Sequence, residues 1–184
     1  MGDLTIRDAE ARDARAIAAI QVNASRVAYA GIFSTAPATM TVENRIPVWQ
    51  DFIAAAGSQQ RLLVAEQSAE TEICGYAHFG PTRDLDQSAS PSAELYSIYV
   101  TPERWRHRIG SKLLIESTKI LGDAGFASCT LWVLAENSNA RRFYERHGWR
   151  SDGTERPVDG QVSEVRYRKE ALLLASLWSA RGHG

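Results

Sequence analysis

The chain is short of the devices that staple small domains and of those that anchor a protein in lipid. It has two cysteines in 184 residues, too few for a disulfide framework. Both Cys74 and Cys129 lie within apolar, strand-like runs, where plain packing is the ordinary fate of a free thiol. No apolar run approaches the roughly 20 residues that cross a bilayer, and the opening MGDLTIRDAE lacks the apolar core of a signal peptide. A soluble, cytoplasmic protein in a reducing compartment, with no membrane partner, is the expectation. Charge of one sign is missing too: 21 Lys+Arg stand against 22 Asp+Glu, a formal net charge of -1. Overall charge therefore cannot hold a polyanion, and no nucleic-acid partner is expected; any anion must be met by a local patch. His78 has no partner at metal-ligand spacing, and His107 and His147 sit in turn contexts, so no metal is expected.

What is present is the material of one domain with its own core, with 44% hydrophobic residues and no internal repeat, low-complexity tract or linker. A short strand begins at Ile6. Asp13 is placed to cap a helix carrying Ile17, Ile20 and Val22 at near-helical spacing. Regularity then breaks over Ser25 to Pro37, and a second amphipathic helix, Val42 to Ala56, ends at Gly57. LLVAE and ICGYAHFG, separated by QSAETE, read as an antiparallel hairpin. After a polar loop from Pro81 to Ser92 comes the strongest strand candidate, AELYSIYV, Ala93 to Val100. Side chains alternate along it, so Glu94 shares a face with Tyr96, Ile98 and Val100 and is its odd member. A helix through Leu113, Leu114, Ile120 and Leu121 follows, stopped by GDAG, then a buried strand at Cys129 to Val133 and a helix from about Ser138 to Arg146, ended by Gly148. Two strand-like runs remain, around Trp149 and over Val162 to Tyr167. The tail LLLASLWSARGHG reads as a short amphipathic helix that covers either a sheet edge or a partner subunit. Strand, helix, strand, helix in the second half implies a parallel βαβ crossover joined to an antiparallel first half, an α/β fold with a mixed sheet.

The stretch WRHRIGSKLL, Trp105 to Leu114, is where chemistry concentrates. A strand ending at Val100, a turn, Gly110, Ser111 and a helix offer unpaired backbone N–H groups to an anion, and Arg104, Arg106 and Arg108 add full charges to the helix dipole. A solvated basic turn is the competing reading. Glu94 likewise admits two. An amine attacks a thioester only when neutral, yet a lysine-like amine has a pKa of about 10.4, and a carboxylate on a central strand can take that proton directly or through water. The alternative is a charge at a strand end. Asn137 suits a helix N-cap, and Tyr144 can pack with Phe143.

Read without a gap from Tyr99, YVTPERWRHRIGSKLL resembles the coenzyme-A pyrophosphate loop of the GCN5-related N-acetyltransferases, whose pattern is Gln or Arg, two residues, Gly, one residue, Gly or Ala. Trp105 takes the first position, Arg108 the fourth and Gly110 the sixth, so the first two depart from the pattern and Gly110 keeps it. IRDAEARDARAIAAI resembles the family's first strand and helix, SRVAYAGIF its substrate-side segment, and LWVLAENSNARRFYERHGW its second signature. The strand-loop form YVxPxxxxxxxGS is similar to that of the phosphinothricin acetyltransferase-like members. The resemblance spans about residues 4 to 170 and implies one N-acetyltransferase domain over 1–184, with a helical extension from about 170.

It further implies acetyl-CoA as cofactor. Backbone groups of Ile98, Tyr99 and Val100 would bond the pantetheine arm. Arg106, His107, Arg108, Ile109, Gly110 and Ser111 would wrap the diphosphate, and Asn137 would bond the cofactor near the pantetheine. Tyr144 would stand by the sulfur, where a phenol can protonate a departing thiolate. The expected reaction is direct attack by the primary amine of a small molecule, such as an amino acid or its analogue, with Glu94 as base and Tyr144 as acid. Tyr29, Phe33, His78 and Trp49 are candidates for the acceptor pocket, each with core packing as its rival. A protein N-terminal acetyltransferase and a non-catalytic acyl-CoA sensor are the alternatives, and a homodimer is the expected assembly.

Overall fold

A computed structural model describes residues 3–33, 40–55, 59–67, 71–87, 91–160, 162–170 and 172. The elements are strands β1 (Leu4–Asp8), β2 (Arg61–Gln67), β3 (Glu72–Pro81), β4 (Ser92–Val100), β5 (Ser128–Leu134), β6 (Arg150–Asp159) and β7 (Val162–Glu170) and helices α1 (Ala14–Ala28), α2 (Val42–Ala54), α3 (Ile109–Asp123) and α4 (Ser138–Arg146). Among the described residues the strands form a seven-stranded sheet in the order β1-β2-β3-β4-β5-β7-β6. β1 pairs antiparallel with β2. β4 pairs parallel with β5, which makes β4-α3-β5 the expected crossover, and β7 runs antiparallel to both β5 and β6. The α/β fold with a mixed sheet is therefore as the sequence implies. The chain gathers into two compact units, Met1–His78 with Ser97–Leu114 and Phe79–Tyr96 with Ile115–Gly184.

In the first unit the core comprises Ala14, Ile17, Ala18 and Ile20 of α1, Trp49 of α2, Leu62 and Val64 of β2, and Tyr76 of β3. α1 forms because its small and branched apolar residues recur on one stripe. Asp13 does not cap it as expected. A 3₁₀ turn, Ala11–Asp13, runs straight into the helix, so Asp13 already has helical backbone angles and makes no side-chain cap bond to α1. Its carboxylate turns back instead, accepting from the Glu10 backbone N–H at 2.8 Å and from Arg7 at 2.7 and 3.0 Å. α1 also continues through Ser25, which the sequence reading treats as the start of irregular chain. The Ser25 hydroxyl donates to the Gln21 carbonyl at 2.6 Å, and so stays within the helix rather than ending it. α2 begins at a reciprocal box, with Asn44 N–H donating to Thr41 Oγ1 at 3.2 Å and Thr41 N–H donating to Asn44 Oδ1 at 3.0 Å. Its expected stop at Gly57 lies outside the described residues.

Gly75 of β3 marks a close approach in this unit. A Cβ there would meet the Tyr99 carbonyl oxygen at 3.0 Å, Leu113 Cδ1 at 3.1 Å and Val100 Cγ2 at 3.2 Å. Gly75→Ala brings two opposing effects. The unfolded chain loses freedom, worth about 0.4–1 kcal/mol of stabilisation, while overpacking costs about 1–3 kcal/mol. A backbone carbonyl within a sheet cannot step aside as a side-chain tip does, so the cost wins. The expected result is a lower urea midpoint at unchanged slope; an equal or higher midpoint shows that β3 and β4 have room to part.

In the second unit, Phe79, Cys129, Leu131, Tyr144, Trp149 and Tyr167 are buried. α4 keeps the bounds expected of it. Asn137 Oδ1 accepts from the Ala140 N–H at 3.1 Å at one end, and Gly148 takes a left-handed φ of 78° just beyond the other. Of the loop expected over Pro81 to Ser92, Pro81 instead ends β3, Ser92 begins β4 and a 3₁₀ turn occupies Leu85–Gln87. Of the C-terminal segment only Leu172 is described, its N–H donating to the Ala127 carbonyl at 3.2 Å; the expected terminal helix lies outside the described residues.

Candidate active site

The first unit carries the strand-loop-helix. β4 ends at Val100, and the Thr101 N–H returns to the Cys74 carbonyl at 2.9 Å. A 3₁₀ turn, Pro102–Arg104, then leads to the loop 105–108. The Trp105 indole N–H donates to the Val100 carbonyl at 2.7 Å, tying the loop back to the strand end. His107 Nδ1–H donates to the Trp105 carbonyl at 3.0 Å. Trp105 therefore ties the loop to the strand through a side-chain bond that tryptophan can make.

The departure at Arg108 resolves in the backbone. Arg106 has φ of 67° and Arg108 of 62°, the left-handed region that glycine enters freely and that costs other residues roughly 1–2 kcal/mol. The arginine at the glycine position thus keeps a glycine's backbone path and adds a guanidinium. Arg106, His107 and Arg108 are all exposed, whereas Ile109 is buried where α3 begins. The Arg108 carbonyl accepts from Lys112 N–H at 3.0 Å in the first turn of α3, so the helix starts at the end of this loop and its dipole presents partial positive charge there. Left-handed bends, helix-end donors and exposed cations together suit a diphosphate.

The acceptor candidates belong to an aromatic chain in the same unit. The Tyr29 and Tyr99 hydroxyls lie 2.7 Å apart, and Phe33 meets Tyr29 edge-on at 6.0 Å between centroids. Tyr99 neighbours Tyr76 at 5.7 Å, Tyr76 neighbours Trp49 at 5.3 Å, and Trp49 neighbours His78 at 5.6 Å. Trp49 and Tyr76 are buried core. Tyr29, Phe33 and His78 are half-buried, and His78 Nε2 shares a hydrogen bond with Gln60 at 2.9 Å. Tyr76 is fully enclosed; burial pushes its phenol well above the usual value, with the Tyr99 hydroxyl adding to the shift.

The second unit carries Glu94, Asn137 and Tyr144. The paired register of β4 with β5 runs from Ser92–Ser128 to Glu94–Thr130, although β4 continues to Val100 and β5 to Leu134. Glu94 sits at the last pair, 1% exposed. Its carboxylate is engaged by a residue that sequence reasoning did not single out. Arg83 donates through Nη2 to Oε1 at 2.5 Å, and through Nε and its backbone N–H to Oε2 at 3.1 and 3.0 Å. The guanidinium lies over the Tyr96 ring, 4.4 Å from its centroid, and the bonds to Glu94 raise the Arg83 pKa against the opposing effect of burial. Burial lifts the Tyr96 phenol to about 12, and the Glu94 charge adds to that. A signal was available, because a carboxylate on an otherwise apolar strand face calls for a counterion nearby.

A second unforeseen network fixes the residues beside Arg83. Arg166, nearly enclosed, donates to Asp84 at 3.2 Å, to Asp86 at 2.9 and 2.8 Å and to Asp152 at 2.7 Å, while the Trp132 indole N–H reaches both Asp84 oxygens at 3.1 and 3.2 Å. Tyr144 is buried among Phe143, Trp149 and Tyr167, with centroid distances of 5.2, 6.1 and 6.5 Å. Asn137 spends its side-chain oxygen on the cap, and its amide NH₂ is a separate donor. Cys129 is buried, and burial pushes its thiol far up, so it is a poor nucleophile at neutral pH. Among the described residues no group of His, Cys, Asp and Glu is arranged for a metal ion, and no described helix is long and apolar enough to cross a membrane.

Comparison with known proteins bears on both halves. The family model described as Acetyltransferase (GNAT) family matches residues 14–149. The uncharacterized N-acetyltransferase YuaI of Bacillus subtilis (strain 168) is 30% identical over 134 residues, covering 73% of each chain. Among solved structures, the PaiA N-acetyltransferase of Thermoplasma acidophilum in complex with coenzyme A aligns with a TM-score of 0.71 at 23% identity, over 91% of this chain and 99% of that one. A protein provisionally named a phosphinothricin N-acetyltransferase aligns with a TM-score of 0.70 at 24% identity, over 91% and 98%. At these identities the structural likeness is one of fold.

Proposed function

The chain belongs to the acetyltransferase (GNAT) family, and we propose that it transfers the acetyl group of acetyl-CoA to the primary amine of a small molecule such as an amino acid or amino-acid analogue. The observation that supports this reading is the loop at Arg106 and Arg108, where two exposed arginines take left-handed backbone angles just ahead of the start of α3. Strain of this kind persists where surrounding structure and function demand it. Residues 105–111 would hold the diphosphate through backbone N–H groups and the two guanidinium groups. Ile98, Tyr99 and Val100, whose backbone takes no part in the β4–β5 register, would bond the pantetheine arm, and the Asn137 amide would add a donor.

When bound, acetyl-CoA supplies an activated acyl carbon on a thiol leaving group. Glu94 takes the proton from the acceptor's ammonium, directly or through water, so that a neutral amine attacks. Tyr144 gives a proton to the departing sulfur. No enzyme nucleophile is needed, in keeping with two buried, hydrogen-bonded cysteines. The reading takes about residues 4–170 as one acetyltransferase domain in the cytoplasm, where free thiols persist, assembled as a homodimer that sedimentation will test.

The Glu94–Arg83 ion pair favours one second reading, a non-catalytic acyl-CoA sensor, because a paired carboxylate is not ready to accept a proton. One experiment separates these possibilities. Saturating acetyl-CoA should raise the melting temperature, since it binds the native state, and a panel of amino acids, their analogues and N-terminal peptides should reveal CoA release with at least one small amine. No thermal shift in a folded sample removes the cofactor assignment. A shift without CoA release across the whole panel leaves the sensor, and release with peptides alone makes the protein an N-terminal acetyltransferase.

A further inference from the structure

Glu94 and Arg83 are unequal partners. The Glu94 side chain is 2% exposed, whereas the Arg83 side chain is 59% exposed. Of its three bonds to Glu94, one is made by the backbone N–H and two by the guanidinium. The backbone on either side is fixed. Thr82 N–H donates to the Ser92 carbonyl at 3.0 Å, Asp84 N–H donates to Thr82 Oγ1 at 3.1 Å, and the Asp84 carboxylate is held by Trp132 and Arg166. Rotation of the Arg83 side chain alone can therefore break both guanidinium bonds to Glu94, while the backbone N–H keeps the carboxylate in place.

We propose that Arg83 is an internal stand-in for the acceptor's ammonium, a latch on Glu94 that an incoming amine must displace, and so a residue that sets specificity. The inference rests on Glu94 being the base of the proposed acetyl transfer. A proton cannot pass comfortably to a carboxylate while a guanidinium stays against it, because the neutral acid would then face an unpaired cation. An acceptor that arrives as an alkylammonium exchanges one cation for another and leaves Glu94 paired throughout. Neutral nucleophiles offer no such exchange. The displaced guanidinium is hydrated readily, as its exposure requires, so the exchange costs little on the arginine side.

A latch that is mostly closed weakens apparent acceptor affinity by the fraction of time it is open. The test is steady-state kinetics of wild type, Arg83→Met and Arg83→Lys with an alkylamine acceptor at saturating acetyl-CoA. Arg83→Met should lower the acceptor KM by about tenfold or more without a matching fall in kcat, and the KM for acetyl-CoA should stay within about threefold. Arg83→Lys, which restores a cation, should move the acceptor KM back toward wild type. A purely structural role for Arg83 predicts loss rather than gain of affinity. An acceptor KM that is unchanged or higher in Arg83→Met, or turnover lost in a folded variant, overturns the latch. Should Arg83→Met not fold, Arg83→Gln, which keeps a neutral hydrogen bond to Glu94, is read in the same way. If wild type releases no CoA with any amine, the transferase reading fails, and the latch is judged by butylamine hydrochloride in a melting experiment. A larger rise in melting temperature for the variant than for wild type supports it, and an equal or smaller rise overturns it.

Discussion

Glu94→Gln should lower turnover at neutral pH by roughly 100-fold or more, and the loss should shrink as pH rises. With an amine of pKa about 10.4, only about one acceptor molecule in a thousand is neutral near pH 7.4, and the variant must wait for that fraction. Its rate should rise about tenfold per pH unit between pH 7 and 9, while wild type, with a carboxylate to take the proton, climbs less steeply. Glutamine is the informative replacement because Glu94 is buried and bonded to Arg83 at both oxygens; an amide keeps the size and one acceptor oxygen while removing the charge. Circular dichroism and the melting temperature establish that the sheet survives. Turnover and pH slope equal to wild type would reduce Glu94 to a partner of Arg83, and a fall that alkali does not relieve would mean that the carboxylate orders the site without accepting a proton.

Much of the frame behind that prediction is legible in the sequence because its signals are local. α4 can be bounded from its ends, since an asparagine cap and a left-handed glycine act within a single turn. β4 reveals itself by alternation, and the parallel β4-α3-β5 crossover follows from element order. The start of α1 is harder to read, because a helical turn ahead of Asp13 redirects a carboxylate that looks like a cap. Arg108 illustrates a further limit. Its residue type departs from the glycine of the family pattern, while its φ of 62° is one that glycine adopts freely, and a one-letter code carries no dihedral angle. The roles of Arg83 and Arg166 are illegible in the sequence for a related reason. Each is an arginine among many, and its meaning comes from which carboxylates the sheet brings to it: Glu94 across the connection from β3 to β4, and Asp84, Asp86 and Asp152 from two separate segments.

Tyr144→Phe separates enzyme from sensor by a different atom. As the thiolate leaves, charge develops on sulfur, so a phenol beside it matters more in the transition state than in the bound ground state. Phenylalanine preserves the ring that packs against Phe143, Trp149 and Tyr167 and removes only the hydroxyl. Acetyl-CoA affinity should therefore stay within about threefold while turnover falls by roughly 10- to 1000-fold, the range for losing one general acid. The split between affinity and turnover is what a packing role cannot produce, because loosened packing around α4 would weaken binding and lower the melting temperature together. A sensor would show the retained affinity with no turnover to lose, in wild type as in the variant. A variant that turns over like wild type removes Tyr144 from the chemistry and leaves water, or another donor, to protonate the sulfur. If Glu94→Gln and Tyr144→Phe each reduce the rate, their double variant should fall short of the product of the two losses, because once the first step limits the rate, the second proton transfer no longer does.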